Sequence, residues 1–116
     1  MLAASDLEGI TELARKEISY HMCRSKLAEV IEKLMKAELL RLGWFLERTH
    51  DLQRLATELE RRGSHLFPQL RPLASAYAEV YFMARYPGFD LEEPEWTALR
   101  RDVAATRALL DAIASS

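Results

Sequence analysis

The stretch from Tyr20 to Leu42, YHMCRSKLAEVIEKLMKAELLRL, decides the fold. Within it Leu27, Val30, Ile31, Leu34, Met35, Leu39 and Leu42 recur at the three- and four-residue spacing that places side chains on adjoining faces of one helix. A polar stripe of Glu29, Glu32, Lys33 and Lys36 occupies the remaining side. Glu29 with Lys33 and Glu32 with Lys36 each stand four residues apart with the acid first, the order that supports a helix. An apolar arc this wide needs more than one partner helix. The segment therefore reads as one long helix of a helical bundle, ended by Gly43.

Working outward, the preceding segment predicts a first helix capped at Ser5 or Asp6, with Leu7, Ile10, Ala14 and Ile18 on one face. After a short connection from Trp44 to Thr49, a third helix opens at Thr49 or His50 and runs near Asp51 to Arg62. Leu52, Leu55, Ala56 and Leu59 point inward, and Asp51 sits in the first turn, where the helix dipole favours a negative charge. Gly63 stops it. A loop holding His65, Phe67 and Pro68 leads to a fourth helix from about Leu70 to Arg85, in which Pro72 is acceptable only within the first turn. Between Leu73 and Ala84 its only charged residue is Glu79, so this helix belongs in the bundle interior or at a subunit contact. Tyr86-Pro87-Gly88 breaks it. Beyond Pro94 a last helix, about Glu95 to Ala114, turns Trp96, Leu99, Val103, Thr106, Leu110 and Ile113 inward at a period near that of bundle packing.

No stretch alternates apolar and polar residues as a half-buried strand does. The expectation is a single all-α domain over residues 1–116, an up-and-down bundle of four or five helices. The length of 116 residues leaves no room for two independent cores. Apolar residues make up 49% of the chain and charged ones 29%, a globular composition. Sixteen basic against 18 acidic residues give a net charge of -2, which provides no general attraction to phosphate backbones. One cysteine, Cys23, allows no internal disulfide and points to a reducing compartment. The start of the chain lacks a signal-peptide pattern, and no apolar run nears the roughly 20 residues of a membrane span. The reading is a cytoplasmic protein with no membrane contact.

Metal chemistry finds no support in the pattern. His21, His50 and His65 are not clustered, no HExxH or paired-cysteine motif occurs, and no metal or cofactor is expected. Cys23 has basic neighbours in Arg24 and Lys26, but a lone cysteine on a helix is more often a small packing residue. No P-loop, GxGxxG or GxSxG sequence is present.

Two segments carry more than their helices need. In Arg48-Thr49-His50-Asp51-Leu52, a threonine cap, an acidic first turn and a buried leucine account for all but His50. In Tyr81-Phe82-Met83-Ala84-Arg85-Tyr86-Pro87-Gly88, Arg85 lies one turn beyond Tyr81. A cation there complements the end of a helix, and spacing alone favours that structural role. The alternative is that Arg85 holds a phosphate or stacks on a base, with Tyr81 or Tyr86 as the flat partner.

Together these segments resemble the HEPN domain family (higher eukaryotes and prokaryotes nucleotide-binding). The likeness rests on Glu32-Lys33-Leu34-Met35-Lys36-Ala37 in the long second helix, Thr49-His50-Asp51-Leu52 opening the third, and Tyr81 with Ala84-Arg85-Tyr86-Pro87 ending the fourth. It spans nearly the whole chain. It implies a four- or five-helix bundle that often forms a homodimer, and a pairing with minimal nucleotidyltransferases in two-gene modules of toxin–antitoxin type. It also implies that His50, Asp51, Tyr81, Arg85 and Tyr86 are the ligand-binding candidates, for a nucleotide or RNA.

Many relatives are metal-independent ribonucleases with an arginine and a histidine separated by four to six residues. Here no histidine follows Arg85 at that spacing. Arg54 and His65 stand too far apart, and Arg15 with His21 falls on the first helix, the wrong element. The expectation is a nucleotide-binding protein or nucleotidyltransferase partner without the usual ribonuclease pair, a reading that favours a non-enzyme. Two alternatives stand beside it: a ribonuclease with a non-standard site built from His50 and Arg85, and a non-catalytic dimerisation or scaffold module.

Overall fold

The computed structural model describes residues 2–45, 48–80 and 93–115. Among these residues five helices occur and no strand: α1 Leu2–Lys16, α2 Tyr20–Arg41, α3 Leu52–Arg61, α4 Phe67–Tyr77 and α5 Trp96–Ala114. Tyr81, Arg85 and Tyr86 lie outside the described residues, as does the expected end of the fourth helix.

The long helix sits where its wide apolar arc requires. α2 packs against each of the other four helices, with α1 and α5 beside it and beside each other, and the α3–α4 hairpin completing the bundle. Leu27, Val30, Ile31, Leu34, Met35 and Leu39 have no exposed surface. From α1 come Ala3, Leu7, Ile10 and Ala14, from α3 Leu52, Leu55, Ala56 and Leu59, and from α5 Leu99, Val103, Leu109 and Leu110. No helix among the described residues is long and apolar enough to cross a membrane.

Three helix ends use one device. After α1, α2 and α3 the chain turns through a left-handed residue, Glu17 at φ 56°, Gly43 at φ 85° and Gly63 at φ 69°. The next amide then donates back five residues: Ile18 to Leu13 O, Trp44 to Leu39 O and Ser64 to Leu59 O, at 2.9–3.0 Å. Such bonds satisfy carbonyls that would otherwise face nothing at a helix end. Gly43 and Gly63 thus stop α2 and α3 as their positions suggest. At the first corner Glu17 and Ser19 are both left-handed, which rotates Ile18 outward. It is 47% exposed and does not share the inner face of α1.

Other boundaries differ from the sequence expectation. α1 begins at Leu2, ahead of Ser5 and Asp6, because burying Ala3 extends its inner face by one turn. α3 is capped by Asp51, not by Thr49 or His50: Asp51 Oδ1 accepts from the amides of Gln53 at 3.0 Å and Arg54 at 3.2 Å. Thr49 lies one step further out, its Oγ1 accepting from the Asp51 amide at 3.1 Å. Removing such a cap costs about 1 kcal/mol. Asp51→Ala is therefore expected to lower the urea midpoint by that equivalent with an unchanged slope, read by circular dichroism.

α4 starts at Phe67 and ends at Tyr77, which puts Pro72 in the second turn of an eleven-residue helix instead of the first. Pro68 takes the first-turn place, and Ser64 Oγ accepts from the Leu66 amide at 3.1 Å to turn the chain into the helix. Along α4, Leu70, Leu73, Ala74 and Tyr77 are buried. On α2 the pair Glu32–Lys36 forms at 3.2 Å. Glu29 instead meets Lys26 at 3.1 Å, and Lys33 reaches across to Asp6 of α1 at 3.4 Å. Lys33 thus leaves the weak intrahelical pair for a tertiary partner, and Glu29 takes the i,i+3 lysine of its own helix.

Candidate functional site

His50 precedes the Asp51 cap, so the rigid start of α3 fixes where its backbone leaves. Its imidazole turns toward α2, where Nδ1 lies 2.8 Å from Glu32 Oε1. The other oxygen of Glu32 meets Lys36 Nζ at 3.2 Å. The Glu32 carboxylate is only 16% exposed and the imidazole 54%, so an inner acid braces an outer ring. A carboxylate at one ring nitrogen sets the orientation of the imidazole and directs Nε2 away from it.

The pair stands on the wall of a cleft of about 380 Å³ lined by Ala28, Glu29, Glu32, Lys33, His50, Leu52 and Tyr77. Its volume suits a small ligand. Leu52 and Ala28 supply apolar wall and Tyr77 an aromatic one. Tyr77 is 2% exposed, and its hydroxyl donates to Asp102 Oδ2 of α5 at 2.8 Å. Burial first, then that carboxylate, push the Tyr77 phenol well above its ordinary value, so it stays a neutral donor. The Arg24 guanidinium lies 5.4 Å from the Tyr77 ring centre and 6.0 Å from that of Tyr20, a cation over two aromatic faces. Tyr20 in turn meets Trp96 edge-on at 5.2 Å.

The sequence candidates divide accordingly. His50 faces the cleft, while Asp51 uses Oδ1 to cap α3. Tyr81, Arg85 and Tyr86 fall outside the described residues. The cleft also draws on Glu32, Tyr77 and Leu52, which the pattern had assigned to a solvated stripe, a helix and a core face. No local signal pairs Glu32 with His50, because the two are eighteen residues apart in the chain. Chemically the cleft presents an oriented imidazole, a flat ring and apolar wall. Its two carboxylates against one lysine disfavour an anion directly inside it.

Cys23 is fully buried. Its thiol lies 3.6 Å from Ile18 O, and burial pushes its pKa up, the state of a packing residue and not of a nucleophile. Among the described residues no group of three or more His, Cys, Asp or Glu side chains is arranged to hold a metal ion.

The family model described as HEPN domain matches residues 2–113. No curated protein and no solved structure matches the chain.

Proposed function

The chain belongs to the HEPN domain family, and from that premise we propose that it binds a nucleotide at the His50 cleft and serves as the non-catalytic partner of a minimal nucleotidyltransferase in a toxin–antitoxin-type module. The observation that carries the reading is the His50–Glu32 contact at 2.8 Å. It aims the histidine of the helix-opening motif into a cleft walled by Tyr77 and Leu52. A base stacks on the aromatic and apolar walls, and the imidazole takes a hydrogen bond from the base or ribose. The phosphates stay outside, because Glu29 and Glu32 repel them. Arg85, with Tyr81 and Tyr86, is the phosphate-side candidate that the family likeness supplies. The partnership and a homodimeric state belong to the same proposal.

Calorimetry with purine and pyrimidine nucleotides tests it. Binding is expected, weakened about tenfold in His50→Ala, the loss that one good hydrogen bond carries. If nucleotides produce no heat and no nucleotidyltransferase co-purifies, the proposal fails.

One feature favours a second reading. A carboxylate-braced imidazole is also how a general base is held, as a ribonuclease site built from His50 and Arg85 would need. RNA cleavage that vanishes in both His50→Ala and Arg85→Ala supports it. Equal rates, or no cleavage by the wild type, dismiss it. If both substitutions alter stability alone, the chain is a scaffold module.

A further inference from the structure

A second concavity lies on another face of the bundle, between α1 and α5. Its lining is Thr11, Ala14, Arg15, Arg100, Val103, Ala104 and Arg107, around about 390 Å³. None of these residues borders the His50 cleft. Ala14, Val103 and Ala104 make an apolar floor, and the side chains of three arginines border it.

Two of the three arginines are held in place. Arg15 forms a two-point contact with Glu12, at 2.6 and 3.2 Å. Arg100, near the start of α5, donates to Ala14 O at 3.1 Å and meets Glu17 at 3.3 Å, both at the end of α1. Arg107 is different. It is half-buried, two turns along α5 from Arg100 and so about 10 Å away. No hydrogen bond or ion pair joins it to the described residues. Its guanidinium is therefore the one of the three that can take an acid without giving up a partner among the described residues.

We propose that the α1–α5 groove is a binding site for a small anionic amphiphile, an acidic group on an apolar or aromatic body. The acid pairs with Arg107, and the body lies on Ala14, Val103 and Ala104 between Arg15 and Arg100. The volume is that of a small-molecule site, and a mostly apolar lining with few fixed polar groups is the usual make-up of one. A second copy of this chain docked here about a two-fold axis would set arginine against arginine. A polyanion is disfavoured because Glu12 and Glu17 already engage two of the three cations. The ligand class is thus a compact acid, whether a lipid-derived carboxylate or an aromatic phosphate.

Calorimetry on the whole chain with decanoate and with phenyl phosphate tests this, with inorganic phosphate as the control. One saturable site is expected for at least one amphiphile, and the one that binds tells the two sources apart. Arg107→Glu is expected to weaken it at least tenfold, while His50→Ala leaves it unchanged. Circular dichroism checks that Arg107→Glu is folded, and Arg107→Gln replaces it if it is not. The proposal is overturned if neither amphiphile saturates, if Arg107 variants bind normally, if His50→Ala abolishes binding, or if inorganic phosphate binds as tightly as the amphiphiles.

Discussion

Leu34→Ala is expected to destabilise the protein by about 3 kcal/mol, the middle of the range for a leucine removed from a packed core. Leu34 has no exposed surface, and its helix, α2, touches every other helix of the bundle. The cavity left by the missing carbons therefore opens where no single element can move to fill it. A fall in Tm on the order of 10 °C follows for a domain of this size. Leu40 provides the internal control. It lies on the same helix but is 51% exposed, so Leu40→Ala should change stability by no more than about 0.5 kcal/mol. Thermal and urea unfolding of the two variants side by side checks the assignment, and equal losses would show that α2 is not the hub of the core.

Glu38→Gln should have the next largest effect. Glu38 is 1% exposed although it carries a charge. Arg41 donates to it through Nε at 2.6 Å and through a terminal nitrogen at 3.0 Å. Ser64, from the α3–α4 turn, donates to Oε2 at 2.7 Å. The same Ser64 hydroxyl receives the Leu66 amide, so this carboxylate ties the end of α2 to the corner that launches α4. An amide keeps the shape but loses the charge-assisted bonds, a cost of about 2 kcal/mol.

The pH dependence separates charge from shape. The Arg41 hydrogen bonds, followed by that of Ser64, hold Glu38 below its ordinary pKa in spite of burial. A lowered folded pKa means that the unfolded chain takes up its proton first as pH falls. The stabilisation is therefore complete above the unfolded carboxylate value, about 4.3, and drains away as pH drops through the folded value. Between pH 7 and pH 3 the gap between wild type and Glu38→Gln should shrink. Parallel stability curves would mean that the carboxylate contributes only packing. Glu12, held at about 2 chiefly by its hydrogen bond to Arg15, is present in both proteins and cancels in the comparison.

Much of the bundle was legible from local pattern. The limits of α2, the inward residues of α3, the inner face of α5 and the stops at Gly43 and Gly63 all depend on periodicity and on backbone conformations that a short window reveals. The misplacements have local explanations too. Ile18 keeps the spacing of the α1 face, yet left-handed backbone at Glu17 and Ser19 takes it off that face. Pro72 looked like a first-turn residue until Ser64 and Pro68 supplied an earlier start. Glu29 and Lys33 have favourable spacing, but each found a nearer partner.

Taken alone, then, the sequence determined an all-α bundle built around α2, the family likeness, and His50 as a residue its own helix does not require. Helical periodicity and capping act over a few residues and need no knowledge of the rest of the chain. Only the tertiary structure decided what His50 faces, by bringing Glu32, Tyr77 and Leu52 to one cleft. It also decided that Glu38 is buried beside Ser64 and that Arg107 overlooks an apolar floor shared by α1 and α5. Those relations join residues far apart in the chain, and they are set by which helix faces the shared core draws together, information that no local window carries.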